Sequence, residues 1–376
     1  MFYLAHCNVL ISKRQLYIAF IFRFIFRLTH TIIYTIITFT VFYSTIYYKK
    51  EELLSSTPIP KALLAMGLPT MIGMMINAFY NLVDAYFVGG LGTSQMGAIS
   101  VAFPLGQIVV GLGLLFGNGG ASYISRLLGH GEKEKADKVA STALYSSIAA
   151  GSTAIIASIV FLVQILKLSG ATESIMPYAV VYTRIYIVSS IFNVFNVTMN
   201  NIVTSEGAAK TTMCALLAGA VLNIILDPIF IYMLDLGVAG AAIATAISQL
   251  VSTLVYLYYI SCKKSIFSFR FSQCHFSKEN MSEVLKIGIP TLLFQLLTSI
   301  SIALINSQAK EFGDSVIAGM GAVTRIISMG SLMVFGFLKG FQPIAGYSFG
   351  AKTINVCTKQ LKYQSFGPPS SAHYLD

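Results

Sequence analysis

From Pro60 onward the chain alternates long apolar stretches with short turns carrying charge or glycine. Apolar segments of twenty or more residues can be placed near 62–90, 95–124, 139–166, 177–203, 212–234, 238–262, 284–309 and 314–346. A helix rising about 1.5 Å per residue needs roughly 20 apolar residues to cross the hydrocarbon core of a bilayer. The pattern therefore predicts eight spanning helices and an all-α polytopic membrane protein.

Two of these segments carry acids. Asn77, Asn81 and Asp84 lie at i, i+4 and i+7, and Asn223 and Asp227 at i and i+4, so each helix turns its polar atoms to a single face. A charge inside the membrane costs at least about 2.5 kcal/mol unless it is partnered, and by default it marks an ion or proton pathway. With the adjoining turns beginning near Leu91 and Asp235, both acids lie roughly 10–12 Å below one surface. Thr245, counted from the start of its span near Gly237, reaches about the same level. The expected site is a cation or proton site made of Asp84, Asn223, Asp227 and Thr245. The competing reading is that the two acids are hydrogen-bonded glue between helices. Pro228 favours the functional reading, because it frees a backbone carbonyl one turn earlier.

Composition agrees with the pattern. Fifty-five per cent of residues are hydrophobic and eleven per cent charged, and the mean hydropathy is +0.73. The net charge of +10 does not indicate nucleic acid, since the basic residues flank apolar spans and form no patch interleaved with aromatics. The stretches Arg126–Lys138, Ser205–Thr211 and Lys263–Lys286 carry four, one and five Lys or Arg. By the positive-inside bias these are expected to be the cytoplasmic loops of a multi-pass plasma-membrane protein. Five cysteines without a CxxC pair and five scattered histidines indicate neither a disulfide framework nor a zinc site. No cofactor is expected beyond a coupling ion, H⁺ or Na⁺.

Internal repetition organises the rest. Gly67-Leu-Pro69-Thr70 recurs as Gly288-Ile-Pro290-Thr291, Met96-Gly97-Ala98 as Met320-Gly321-Ala322, and Gly129 as Gly350, at spacings of 221 to 224 residues. Six spans separate the starts of the two copies, and an even number gives both copies the same orientation, as in two lobes related by an axis along the membrane normal. The first copy has six spans and the second two. The repeat arithmetic leaves roughly 110 residues, or four spans, without a counterpart after Lys362.

These residues carry a family resemblance. Ile59-Pro60-Lys61, Asn81-Leu-Val-Asp84, Gly119-Gly120-Ala-Ser with Arg126-Leu-Leu-Gly129, Glu206-Gly-Ala-Ala-Lys210, Asn223-x3-Asp227-Pro228 and Gly340-Phe-Gln-Pro343 together resemble the multidrug and toxic compound extrusion (MATE) family. The resemblance runs from Pro58 to about Lys362. It implies a two-lobe bundle with alternating access, and export of bulky organic cations in exchange for inward H⁺ or Na⁺. It also implies that Asp84, Asn223, Asp227 and Thr245 match the family's cation site in the first lobe. The expected partners are membrane lipid and small organic cations. Rival readings are a flippase for lipid-linked oligosaccharides on the same two-lobe plan, and a truncated fragment that transports nothing.

The expected organisation is an atypical extension over 1–57, a six-helix lobe over 58–265, a cytoplasmic connector over 266–283, the first two helices of a second lobe over 284–350, and a non-membrane tail over 351–376. Within the extension, residues 31–48 read as an interfacial segment or an over-long start more readily than as an additional span. Asn77, Tyr80, Asn81 and Gln295 are candidates to line a substrate cavity. Met71, Met74, Met75, Phe79 and Phe103 join them as a group suited to lipophilic cations. Arg184 and Arg325, inside apolar segments, are expected to snorkel or to bond a carbonyl. Gly111, Gly113 and Gly117 are expected to mark close helix packing, and Gly346-Tyr-Ser348-Phe-Gly350 a membrane-helix end, not a hydrolase nucleophile. Two further expectations concern the second copy. The polar side chains Gln295, Ser299, Ser301, Asn306 and Gln308 would face lipid, and proteolysis would concentrate in the 263–283 connector and beyond Gly350.

Overall fold

The computed structural model describes residues 50–55 and 57–353. Expectations for residues 1–49 and for the tail beyond residue 353 fall outside these described residues. The eight expected spans are all present as helices: α1 (Ile59–Gly89), α2 (Thr93–His130), α3 (Lys133–Val160), α4 (Met176–Ser205), α5 (Ala209–Pro228), α6 (Gly237–Ser261), α7 (Lys278–Ala309) and α8 (Asp314–Gly350). A six-residue helix, Lys50–Ser55, precedes them, and α5 continues beyond Pro228 as a π-helical turn, Ile229–Met233. Most helices run several residues past their apolar segments, because amphipathic ends such as Arg126–His130 remain helical in the polar boundary. The 139–166 segment is broken: α3 ends at Val160, and Leu162–Leu168 forms a separate short helix. Gly131 closes α2 in the left-handed conformation that its missing Cβ permits.

The helices of the two copies pack crosswise. α1 lies chiefly on α8 and α5, while α2 is the central element, lying on α7, α4, α8 and α3. Small residues permit these crossings. A Cβ on Gly340 of α8 would collide with the backbone of Gly67 on α1, and one on Gly288 of α7 with the Leu115 carbonyl on α2. A Cβ on Gly119 would likewise meet the Val284 carbonyl. The offset that relates Gly67 to Gly288 also relates Gly119 to Gly340, so the α1–α8 crossing maps onto the α7–α2 crossing. At the α2–α8 crossing, Gly129 faces the Tyr347 carbonyl and Gly350 faces the Arg126 carbonyl. Each glycine meets the residue three before its repeat mate, so this contact maps onto itself, as self-complementary contacts do at a two-fold axis. Gly346 rests on Ser125 beside that crossing, and Ser348 is buried, which uses the GxSxG residues for packing. Gly111 meets Leu292 and Gln295, while Gly113 and Gly117 meet Val197 and Thr198, the close packing expected of that run.

One expectation about the second copy is corrected. Ser299 and Asn306 do not face lipid: both are buried against α2, where Ser299 Oγ donates to the Pro104 carbonyl at 2.7 Å and Asn306 Nδ2 to the Ser100 carbonyl at 2.9 Å. Pro104 supplies the reason, since it has no N–H and leaves the Ser100 carbonyl one turn earlier without its helical donor. Gln295 is half-buried, and only Ser301 and Gln308 keep the exposure expected of the group. The connector is not a loose loop. Helix α7 already begins at Lys278, and residues 263–277 fold back onto the first lobe. Phe267 and Phe269 are buried, each worth about 1.5–3 kcal/mol relative to exposure. Glu206, fully buried at the end of α4, accepts bonds from the Tyr259 hydroxyl, from Ser265 Oγ at 2.9 Å and from the Ile266 N–H at 2.7 Å. Asp137 accepts from the Ser268 N–H and hydroxyl, and the His275 N–H donates to Thr142 Oγ1.

Candidate functional site

The helical period aligns Asn223 with Asp227, and the packing of three helices brings Thr245 and Asp84 to them. Asn223 Nδ2 donates to Asp227 Oδ1 at 3.2 Å within α5 and reaches Thr245 Oγ1 on α6 at 3.5 Å. Asp84, on α1, is close enough for its charge to act on Asp227. Asn223 and Asp227 are fully buried and Asp84 nearly so. Immediately after Asp227 and Pro228 the chain widens into the π-helical turn, a distortion common at functional sites. Tyr232 on that turn donates to the Phe87 carbonyl, tying α5 to the end of α1.

Three oxygens at this place have no hydrogen-bond donor among the described residues: Asp84 Oδ1, Asn223 Oδ1 and Asp227 Oδ2. An orphaned buried acceptor costs about 1–3 kcal/mol, and more when it is charged. A set of carboxylate and amide oxygens beside a threonine hydroxyl has the hard-donor chemistry that suits a proton or a hard monovalent cation.

Next to the acids is a small cavity of about 60 Å³. Tyr80, Asn81, Asp84, Phe103 and Thr245 line it, joined by residues that were not anticipated. Asn81 also donates to the Asn77 carbonyl at 2.7 Å and to Asn77 Oδ1 at 3.0 Å, so Asn77 backs the cavity wall. Gln295 stands apart from this lining and packs on Gly111. Met71 and Met74 pack against Gly336 at the α1–α8 crossing, and Met75 is exposed.

The unanticipated lining comes from α2, which adds Ile99 and Ala102, and from α4, α6 and α8. Tyr182 and Tyr186 of α4 stack with ring centres 5.8 Å apart and planes 11° apart, and Asn193 and Gln249 complete the wall. The signal was available, because Tyr182, Tyr186 and Asn193 at i, i+4 and i+11 share one helical face, as do Thr245 and Gln249. Arg325 of α8 was expected to bond a carbonyl, and it does: its Nη1 lies 3.3 Å from the Asn81 carbonyl. It also stands 3.8 Å from Asp84 Oδ2, with the two side chains 9% and 8% exposed. At that separation the attraction is about 4 kcal/mol at an effective dielectric near 20. Desolvating two ions costs several kcal/mol. The two terms nearly cancel, so the pair adds little to stability. Arg184, by contrast, is exposed on the outside of α4.

The comparisons with known proteins agree with this architecture. The MatE family model matches residues 69–229. Multidrug export protein MepA of Staphylococcus aureus (strain NCTC 8325 / PS 47) is 34% identical over 306 residues, covering 81% of this chain and 68% of that protein. Multidrug export protein MepA of Staphylococcus saprophyticus is 33% identical over 304 residues, 80% of this chain and 67% of that one. Among solved structures, a MOP superfamily transporter from Pyrococcus furiosus superimposes with a TM-score of 0.76 at 32% identity, covering 84% of this chain and 70% of that one. Its title ascribes to it a binding pocket of reverse polarity that suggests a different function. A structure titled as MATE in complex with MaL6 gives a TM-score of 0.76 at 32% identity, covering 84% and 71% of the two chains. With eight apolar helices in the described residues and this level of identity over most of its length, the chain is a multi-span membrane protein and belongs to the MATE family of transporters.

Proposed function

We propose that the chain exports lipophilic organic cations in exchange for inward H⁺ or Na⁺, with Asp84, Asn223, Asp227 and Thr245 holding the coupling ion. One observation carries the reading: three buried oxygens from two helices, two of them carboxylate oxygens, converge without donors. Two acids in a low-dielectric interior are most cheaply accommodated with a shared proton or a bound cation. Tyr80, Tyr182 and Tyr186 line the adjoining cavity, and they would supply aromatic surface to an organic cation in a packing of the lobes that opens this space beyond its 60 Å³. Coupling follows when the ion favours one packing of the first lobe and the drug favours the other, so that each ligand lowers the affinity for its competitor. Family membership and the likeness to multidrug export proteins support the direction and the class of cargo.

Uptake of tetraphenylphosphonium into inverted membrane vesicles tests this. Asp227→Asn is expected to abolish ion-driven uptake while the protein remains in the membrane. Coupling at the wild-type level in that variant overturns the assignment.

The flippase reading needs several cations facing a pyrophosphate. The two cations near the acids and the cavity helices are Arg325, beside Asp84, and Lys339 of α8, which donates to Asn200. Two such groups, one of them facing an acid, are fewer than a pyrophosphate site calls for. Protection of cells against cationic dyes supports the drug reading, whereas loss of a surface glycan on deletion of the gene supports the flippase.

A further inference from the structure

Arg325 is used by neither the ion site nor the aromatic wall, yet it reaches both. It sits on α8, in the second copy, and its hydrogen-bond and ion-pair partners among the described residues, the Asn81 carbonyl and Asp84, are both on α1. Its guanidinium thus bridges the two copies at the depth of the acid site.

We propose that Arg325 is the tethered counter-cation of this site: its guanidinium and an incoming cation compete for Asp84, so that cation entry and release of α8 from α1 are one event. The inference rests on the reading of Asp84 and Asp227 as a cation site. Three features of the geometry support it.

The pairing is loose. Arg325 approaches one oxygen of Asp84 at 3.8 Å, whereas tight charge-assisted bonds lie near 2.7–2.9 Å and are often bidentate. The other oxygen, Oδ1, remains without a donor. A cation in direct contact with Asp84 therefore gains more from the carboxylate than Arg325 does.

Arg325 also shares its cavity with the tyrosines. Tyr80, Tyr182 and Tyr186 line the same 60 Å³ space as Asp84 and Arg325, so the guanidinium stands beside the aromatic side chains that an organic cation would meet as this space opens.

Finally, the other contacts that hold α8 on the first lobe do not involve Asp84. They include the glycine crossings at Gly340 and Gly350, Lys339 donating to Asn200, Gln342 Nε2 donating to the Asn118 carbonyl at 3.4 Å, and the hydroxyls of Ser94, Thr172 and Ser174 donating to Asp314 at the start of α8. Arg325 is the contact that an incoming cation replaces in kind. Differential affinity for the two packings is what moves such an equilibrium, and the coupling is reciprocal.

Two readouts on the purified full-length chain in detergent test the competition. One is equilibrium binding of tritiated tetraphenylphosphonium. The other is the distance between spin labels on Glu173→Cys in the first lobe and Glu311→Cys in the turn before α8, both exposed, with the native cysteines replaced. In the parent chain the ligand is expected to lengthen the distance. Arg325→Gln is expected to bind at least 10-fold more tightly and to show the long distance without ligand. Arg325→Lys, which keeps the charge on a single ammonium in place of the guanidinium fork, is expected to fall between them and guards against misfolding of the neutral variant. Unchanged or weaker binding in Arg325→Gln overturns the proposal, and so does tighter binding with a distance that still responds to ligand. If Asp84→Asn and Asp227→Asn bind as the parent does, the acid-site reading itself fails. If both lose binding while Arg325→Gln matches the parent, only the competition fails.

Discussion

Buried polar groups serve opposite purposes in the acid site of the first lobe and on α7 of the second copy. On α7, Ser299 and Asn306 are buried and bonded, each donating to a carbonyl of α2. In the acid site, Asp84, Asn223 and Asp227 are equally buried, but each leaves an oxygen without a donor. Satisfied groups of the first kind are glue, worth roughly 0.6–2 kcal/mol each in a membrane protein. Oxygens of the second kind cost stability and are tolerated where a ligand completes them. What sets the acid site apart is that its donor-less oxygens come from two acids and an amide gathered at one place, whereas the other buried side-chain atoms without a partner among the described residues, such as those of Ser141, Thr183 and Ser248, are mostly single hydroxyls. It supports the proposed ion-site reading of Asp84 and Asp227, because glue would be satisfied.

The strongest attempt to break the comparison is to destroy the seam outright. Gly288→Leu places a side chain where the Leu115 carbonyl stands, and backbone cannot give way as a flexible side chain can. Overpacking of this kind costs about 1–3 kcal/mol and more where backbone is displaced. The expected result is loss of the monodisperse peak in fluorescence-detected gel filtration. A normal peak would mean that α7 is not held by this crossing.

Next in size is Glu206→Ala. It leaves the Tyr259 and Ser265 hydroxyls and the Ile266 N–H without their shared acceptor, at about 2–3 kcal/mol, since hydrogen bonds to a charged group are the strong ones. Residues 263–277 should resist trypsin in the parent chain and be cut at Lys263, Lys264 or Arg270 in the variant. Equal cleavage in both would mean that the connector is not clamped to the first lobe.

Asn306→Ala removes one satisfied bond and should lower stability by about 1 kcal/mol, a small fall in melting temperature in detergent. Asp227→Asn, the same change of charge that is expected to stop transport, should leave the melting temperature unchanged or raise it slightly in the absence of coupling ion, because an incompletely partnered buried acid is removed. A fall as large as that of Glu206→Ala would place Asp227 with the glue.

The eight helices and the acid faces were legible in the sequence because both depend on local rules. Crossing a bilayer demands about 20 apolar residues whatever lies around them. The 3.6-residue period aligns Asn77 with Asn81 and Asp84, and Asn223 with Asp227, before any helix meets another. The repeat placed the related glycines in register, and the depth count set Thr245 beside Asn223, where the structure has it at 3.5 Å. Tertiary structure alone decided which faces meet. Arg325 pairs with a helix 244 positions away from it, through a crossing that Gly340 and Gly67 permit. Nothing local to Arg325 distinguishes that pairing from snorkelling. Asn306 is buried because Pro104 on another helix frees a carbonyl opposite it, and 263–277 is ordered because Glu206 and the first lobe offer acceptors and an apolar surface at the right place. In each case the deciding partner is remote in the chain, and its position depends on the rotation and crossing of whole helices, which period and composition do not encode.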